Sequence, residues 1–129
     1  MNKSAKILYY TPRILCVIAI LFISLFALDA FETGPTIWKQ ITAFLIHLIP
    51  SFILTILLII AWKKELLGGI LFLIISLVFS PIIFKMNYNM NHSFWMSMGI
   101  IFLITIPFAV VGILFIMSHF RKRQTTKNK

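Results

Sequence analysis

Residues 44–74 read FLIHLIPSFILTILLIIAWKKELLGGILFLI, and this stretch decides the fold. Two apolar runs meet at one short polar break, formed by Lys63, Lys64 and Glu65. Each run continues beyond the quoted letters to about the 18 residues that a membrane-spanning helix needs. Because so short a break leaves consecutive helices side by side, the stretch predicts an antiparallel helical hairpin in a membrane.

The composition also indicates a lipid environment. Of the 129 residues, 60% are hydrophobic and 12% are charged, whereas soluble domains have about 45–50% apolar and about 25% charged residues. A chain of this length has room for only one small core, so it could not bury so much apolar surface in water. The lipid bilayer is therefore the first expected partner.

Four apolar segments are near or above the length of a spanning helix. They predict an all-α integral membrane protein, a four-helix bundle of two antiparallel hairpins. The second segment would form a helix of roughly 33 Å, which matches a hydrocarbon core of about 30 Å. The predicted spans are about 14–30, 41–62, 66–84 and 95–120, within a transmembrane domain 14–120 that lies between an N-terminal segment 1–13 and a basic tail 121–129. We expect this tail to be disordered.

Polar residues separate the spans. Asp29, Glu32, Gly34 and Pro35 predict a turn after the first helix. Residues 85–93, KMNYNMNHS, predict a loop between the third and fourth helices. With four spans, these two connections lie on one side of the membrane and the central turn lies on the other.

The basic residues predict which side is which. The chain has 12 Lys and Arg against 3 Asp and Glu, and a formal net charge of +9. Only Lys39 and Lys85 fall on the side of the two longer connections, and the other ten basic residues lie on the opposite side, within 3–13, 63–64 and 121–129. Cytoplasmic loops are enriched in such residues. We therefore expect a multi-pass protein of the cell inner membrane with both termini cytoplasmic, and no nucleic-acid partner.

A cleaved signal peptide is the main alternative to four spans. Lys3, Lys6 and Arg13 precede an apolar stretch, as in the first two regions of a signal peptide. The stretch ends in residues 27–30, ALDA, which do not form a clean cleavage site of small residues. Cleavage would leave three spans.

One polar stripe lies in the second span. His47, Ser51 and Thr55 are spaced by four residues and fall along one helix face, which we expect to point toward other helices. Two interpretations of His47 stay open: a proton acceptor or ligand, or a neutral histidine hydrogen-bonded across a helix pair. The nearest acid, Asp29, lies close to the outer end of the first span, and an Asp29–His47 pair would hold helices one and two together.

Prolines and glycines predict local features of the helices. Pro50 would kink helix two and free a carbonyl near His47, and Pro107 would bend helix four. Gly68 and Gly69 predict a close approach of helix three beside the central turn.

The segment 86–98, MNYNMNHSFWMSM, contains thioether and imidazole side chains, which are the ligands that Cu(I) selects. The weak copper candidates are Met86, Met90, His92, Met96 and Met98. Methionine is also a flexible apolar filler, and no cysteine pair or histidine-rich tract accompanies these residues. We expect no metal site and no cofactor.

The chain lacks a complete catalytic constellation. Its only histidines are His47, His92 and His119, and Asp29 is the one acid near the depth of any of them. Phosphate loops and paired carboxylates are missing from the sequence. We expect that the protein is not an enzyme.

The stretch 44–74 resembles the central hairpin of a family of small uncharacterised bacterial four-span membrane proteins, a domain of unknown function. The motif that carries the resemblance consists of His47, Pro50, Ala61, Trp62, Lys63, Glu65, Gly68 and Gly69. The resemblance covers residues 12–118 and implies location and topology, but no activity. The small multidrug exporters are similar only in outline, because their mechanism needs a glutamate in the middle of helix one, where this chain has Cys16 and Ser24.

These observations lead to two functional expectations. The first is a non-enzymatic membrane protein that acts through helix–helix contacts as an accessory or self-associating subunit, with a second copy or another membrane protein as its partner. The alternative is a small transporter or channel component that uses His47, Ser51 and Thr55 in the pore of an oligomer.

Overall fold

The structure, a computed structural model of the chain, describes residues 3–31 and 36–128. These two ranges contain four α-helices, one short 3-10 helix and no strand. The elements are α1 (Lys3–Leu25), the 3-10 helix (Phe26–Phe31), α2 (Ile37–Lys63), α3 (Glu65–Asn91) and α4 (Phe94–Lys127). The predicted all-α class is confirmed.

All four α-helices are long and apolar enough to cross a membrane. Large apolar side chains also cover the outer surface of the molecule, as shown by Leu77 and Ile37, which are 74% and 72% exposed. Contiguous apolar surface of this kind is rare on soluble monomers but suits contact with lipid. Helix length, composition and exposure all agree with the predicted multi-pass membrane protein.

Both terminal helices extend beyond the predicted spans. α1 begins at Lys3, so Pro12 lies inside the helix and not ahead of it. α4 continues to Lys127, so the prediction of a disordered tail is wrong for residues 121–127. A helix that has already nucleated gains one hydrogen bond for each residue that it adds, which allows it to continue into polar sequence.

The predicted loop at residues 85–93 is another correction, because α3 continues through most of it to Asn91. The stretch contains no glycine or proline that would interrupt a helix. α3 ends where His92 adopts a left-handed backbone with φ of 52°. Ser93 then caps α4 by accepting a hydrogen bond of 3.4 Å from the backbone N–H of Met96. Only these two residues, His92 and Ser93, connect the helices.

The connection between α1 and α2 is described in part. Asp29 lies in the 3-10 helix that follows α1. The ring of Phe31 packs against that of Phe44 on α2, with 4.9 Å between the ring centroids. The other residues of the predicted turn, Glu32, Gly34 and Pro35, lie outside the described residues.

A single residue, Lys64, separates α2 from α3. Its backbone N–H donates to the carbonyl of Ile60, and its own carbonyl accepts from the N–H of Gly68. A Cβ atom at Gly68 would lie 2.2 Å from the Cα atom of Ala61. The absence of a side chain at Gly68 therefore lets α3 start directly against α2, as predicted for this turn.

α3 and α4 form the most extensive helix pair in the described part of the chain. A Cβ atom at Gly69 would lie 2.7 Å from the carbonyl oxygen of Gly112, and a Cβ atom at Gly112 would lie 2.8 Å from that of Gly69. Small residues permit such backbone contact between membrane helices.

α4 also contains a buried polar group without a partner. The hydroxyl of Thr105 is buried and has no hydrogen-bond partner in the described residues.

Aromatic rings fill the core beside these glycines. Phe72 of α3 stacks between Phe108 and Phe115 of α4, with ring centroids 6.1 and 6.2 Å apart. α1 and α2 contribute smaller side chains to the same cluster. The buried residues of this core are Cys16, Leu54, Leu57, Leu58, Ala61, Phe72, Phe108, Val111 and Phe115.

Candidate functional site

Three helices bring charged side chains together in a buried site, which we call the Arg13 cluster. It consists of Arg13 of α1, Glu65 of α3, and Ser118 and Lys122 of α4. Arg13 donates from Nη2 to Oε1 of Glu65 at 2.8 Å, and the same oxygen accepts from Nζ of Lys122 at 3.1 Å. The hydroxyl of Ser118 donates to Oε2 of Glu65 at 3.3 Å. One carboxylate thus joins the beginning of α3 to both terminal helices.

Burial distinguishes the members of the cluster. Arg13 is 1% exposed and Glu65 is 7% exposed, whereas the side chain of Lys122 is 45% exposed. The Arg13–Glu65 pair is therefore shielded from solvent, and the Lys122–Glu65 pair is partly hydrated. A shielded charge depends on its partner, since removal of one member leaves the other buried and uncompensated.

Aromatic rings and the backbone complete the surroundings of Arg13. Its guanidinium carbon lies 3.6 Å from the ring centroid of Tyr9 and 5.3 Å from those of Trp62 and Phe115. Such positions over ring faces favour a cation. Arg13 also donates from Nη1 to the backbone carbonyl of Tyr9, but its Nε has no partner among the described residues.

The helix dipole favours the acid of the cluster. Glu65 is the first residue of α3, where the free backbone N–H groups carry a partial positive charge that stabilises a carboxylate. The cluster holds two cations and one anion, so its formal charge is +1. Its one carboxylate accepts hydrogen bonds from the other three members, so the cluster links α1, α3 and α4.

The Arg13 cluster was not predicted from the sequence, in which Arg13 and Lys122 belong to the basic flanks and Glu65 belongs to a polar turn. The signal that could have led to it is the predicted topology, which places this turn and both chain ends on one side. Glu65 is the only acid among ten basic residues there. An ion pair between Glu65 and one of these basic residues could therefore have been predicted.

The structure does not direct the whole predicted polar stripe inward. Ser51 is buried, and its hydroxyl forms a 2.9 Å hydrogen bond with that of Ser24 on α1. Thr55 and His47 are exposed. The hydroxyl of Thr55 donates to the backbone carbonyl of Ser51 at 2.7 Å. At about 100° per residue, Thr55 lies about 40° further around the helix than Ser51, whereas His47 lies in nearly the same direction as the buried Leu54 and Leu58. The exposure of His47 therefore reflects its position along α2 and not the turn of the helix.

His47 bonds within its own helix. Its Nδ1 lies 2.8 Å from the carbonyl oxygen of Ala43. Since a carbonyl only accepts, Nδ1 carries the proton in this arrangement, and in a neutral imidazole Nε2 is then an acceptor. No group in residues 3–31 or 36–128 bonds Nε2.

The predicted Asp29–His47 pair is not formed. Both residues are exposed, and the structure contains no ion pair or hydrogen bond between them. The intrahelical bond to Ala43 already engages Nδ1 of His47, and nearby aromatic packing, not charge, joins the 3-10 helix to α2. Helices one and two are instead linked by the Ser24–Ser51 hydrogen bond.

The two prolines that were predicted to bend their helices lie within α2 and α4. α2 and α4 continue on both sides of Pro50 and Pro107, and the predicted kinks stay predictions.

Within the described residues, no group of three or more His, Cys, Asp or Glu could hold a metal. The weak copper candidates near the α3–α4 connection are mostly exposed, with Met98 half-buried: Met86, Met90, His92, Met96 and Met98. The expectation that the chain has no metal site stays a prediction.

Fold and site define the class of this protein. It is an all-helical chain in which four helices are long and apolar enough to span a membrane, and the ion pairs that Glu65 makes with Arg13 and Lys122 join three of them. The chain belongs to the family described as Domain of unknown function (DUF7670), whose model matches residues 1–127. Comparison with curated proteins gives no match, and comparison with solved structures gives none either.

Proposed function

We propose that this protein is a bacterial multi-pass protein of the cell inner membrane, with four spans in two antiparallel hairpins. The order of contacts along α3 and α4 supports opposite helix directions. Glu65, at the beginning of α3, bonds Lys122 near the end of α4. Phe84, toward the end of α3, packs against Phe94 at the beginning of α4, with ring centroids 5.6 Å apart.

Both chain termini belong on the cytoplasmic side in this proposal. The Arg13 cluster supports a common side, because it joins the residue that precedes the first predicted span, the beginning of α3 and a late residue of α4. The basic residues near this end then supply the positive charge that favours the cytoplasm.

Within the membrane, the protein acts without catalysis as an accessory or self-associating subunit through helix–helix contacts. The observation that carries this function is the position of His47. It lies in the predicted second span, is exposed, and has an Nε2 without a partner in the described residues. An imidazole acceptor that faces hydrocarbon is unfavourable, whereas a polar donor on a second copy or another membrane protein would satisfy it.

A neighbouring face of α2 also suits such a contact. Ile46, Ile49 and Ile53 are exposed there, about 100° or more around the helix from His47. Apolar side chains pack equally well against lipid or protein, so the specific gain comes from the hydrogen bond of His47. Interhelical hydrogen bonds in membranes contribute about 0.6–2 kcal/mol, enough to bias a dimer. Neither a nucleic acid nor a cofactor takes part in this function.

Disulfide cross-linking in native membranes tests the association. Ile46→Cys, in a Cys16→Ser background, places one thiol beside His47 and should cross-link two chains under mild oxidation. Leu77→Cys, on the exposed face of α3, is the matched control and should cross-link less. Adding His47→Leu should reduce the Ile46→Cys cross-link by a factor of about 3 to 30, as expected for a bond of that strength.

Equal cross-linking at both positions would show random collision and would overturn self-association. Copurification of a different membrane protein that is lost in the His47→Leu variant would support the accessory form of the proposal. If neither self-association nor the binding of another membrane protein depends on His47, the proposed association through His47 is wrong.

A small transporter or channel component is the second candidate. The observation that favours it is the common exposure of His47 and Thr55 on α2, since outward-facing polar groups of several copies could line a shared pore. Proton or solute flux in proteoliposomes tests this function. Flux that His47→Leu abolishes, with the oligomer intact, would favour transport over simple association.

A further inference from the structure

An apolar groove lies between α1 and α4, at the end of the molecule that contains the chain termini. Its first part has a volume of about 630 Å³, within the roughly 300–1,000 Å³ of small-molecule sites. Ile7 and Leu8 of α1 and Met117 and Phe120 of α4 form its apolar walls, and Arg121 lies at its polar end.

A second groove continues along the same pair of helices. It has a volume of about 510 Å³ and is lined by Leu15 and Ile18 of α1 and by Ile106 and Val110 of α4. On α1, the lining residues of the two grooves follow one another at steps of three or four, so they share one helix face. Together the two grooves make a long apolar channel on the outer surface, which we call the α1–α4 groove.

Arg121, Ser4 and Gln124 line the terminal part of this groove. Thr11, further along the wall, is the other polar lining residue, and its hydroxyl donates to the backbone carbonyl of Ile7. Arg121 forms no ion pair with a carboxylate of the described residues, since the salt bridges there are those that Glu65 makes with Arg13 and Lys122. The groove therefore combines a hydrocarbon-like wall with a cationic end.

We propose that the α1–α4 groove binds an anionic phospholipid, with its phosphate at Arg121, Ser4 and Gln124 and one acyl chain along the apolar wall. A guanidinium beside hydroxyl and amide donors matches a phosphate in charge and geometry. From Gln124 to Val110, the helical rise gives a wall of roughly 21 Å. This length exceeds the ~15 Å of one leaflet of hydrocarbon and so accommodates a whole acyl chain.

Charge argues against a second copy in this groove. The chain carries +9, and the same end of another copy would bring further basic residues toward Arg121. An anionic lipid neutralises this charge instead. The proposal requires membrane insertion but is independent of the contact at His47.

Lipid retention by the full chain tests the proposal. The protein, purified in a non-ionic detergent, is mixed with equal amounts of phosphatidylglycerol and phosphatidylcholine, and the bound lipids are counted by native mass spectrometry. We expect phosphatidylglycerol to be retained in preference. Arg121→Gln should lower its occupancy about fivefold, the effect of one basic residue near an anionic surface. Arg123→Gln, the matched control outside the groove, should change it less than twofold.

A second variant tests the apolar wall. Leu8→Trp fills the groove without altering charge, and it should lower the occupancy by phosphatidylglycerol while the helix content measured by circular dichroism stays the same. A large excess of inorganic phosphate should not displace the lipid, because phosphate lacks the acyl chain.

Several outcomes would overturn the proposal. These are equal retention of the two lipids, equal losses in the Arg121 and Arg123 variants, or displacement of the lipid by phosphate alone. Cross-linking of two chains through Met117→Cys in a Cys16→Ser background would show a second copy in the groove instead. The lipid count should be unaffected by His47→Leu, so failure of this proposal and failure of self-association are separate results.

Discussion

The guanidinium of Arg13 lies 2.8 Å from the carboxylate of Glu65, although 52 positions separate these residues in the chain. Both are buried, and each is the principal neutralising partner of the other. Three helices meet at this pair, since Lys122 and Ser118 of α4 bond the same carboxylate. The contact therefore fixes how the terminal helices are placed against the central turn.

Removal of Arg13 should destabilise the fold strongly. Arg13→Met leaves Glu65 buried with only the half-exposed Lys122 as a cationic partner, and we expect a loss of about 3 kcal/mol in the free energy of unfolding. Lys122→Met should cost less than about 1 kcal/mol, because its pair with Glu65 is partly hydrated. Unfolding in detergent micelles, followed by circular dichroism, measures both.

The double variant Arg13→Met, Glu65→Leu separates pairing from packing. Removing both charges eliminates the uncompensated carboxylate, so most of the stability lost in Arg13→Met should return. A double variant less stable than Arg13→Met would contradict the importance of the ion pair and would assign the effect to side-chain packing.

The close approach of α3 and α4 should make Gly112 intolerant of any side chain. In Gly112→Ala, the new Cβ atom would lie 2.8 Å from the carbonyl oxygen of Gly69, so the two backbones must separate. We expect a loss of about 1–3 kcal/mol in unfolding free energy. Gly99→Ala is the control, because nothing lies within 4 Å of its Cβ position. It should be neutral or stabilising by up to about 1 kcal/mol.

Ser51 should contribute modestly to the contact between α1 and α2. Ser51→Ala removes the 2.9 Å hydrogen bond to Ser24, and interhelical hydrogen bonds in membranes average about 0.6 kcal/mol. Ser24→Ala should have a similar effect, and the double variant should lose little more than either single variant. Additive losses in the same unfolding assay would show that the two hydroxyls act separately.

Thr105 offers a stabilising substitution. Its hydroxyl is buried without a partner in the described part of the chain, so Thr105→Val removes an unsatisfied polar group while keeping the shape of the side chain. We expect a gain of about 1 kcal/mol in the free energy of unfolding. A loss instead would show that the hydroxyl has a bonding partner in the membrane.

Reporter fusions test the proposed topology. A reporter that is active only in the cytoplasm should give a signal at either terminus, and one that is active only outside should give a signal when inserted after Ser93, between α3 and α4. Termini on opposite sides would exclude four spans and would favour the alternative of a cleaved signal peptide. Recovery of the protein without detergent in the aqueous fraction would contradict membrane insertion altogether.

The sequence predicted the helical class because hydropathy is a local property. Long apolar runs indicate helices with lipid-facing surfaces whatever their neighbours are. The turn at Lys64 and the small residues beside it were predictable for the same reason. A connection this short forces α3 to lie directly beside α2. Helix ends were less predictable: the polar residues 85–91 and 121–127 contain no helix breaker, and α3 and α4 continue through them.

The partners of the polar side chains were decided only by the tertiary structure. Spacing placed His47, Ser51 and Thr55 near one another on α2, but only Ser51 is buried, where it bonds Ser24. In the same way, the predicted topology places Glu65 among ten basic residues, but only the packing of the helices selects Arg13 and Lys122 as its partners. A helix pattern fixes which residues share a face, whereas the packing of four helices fixes what each face contacts.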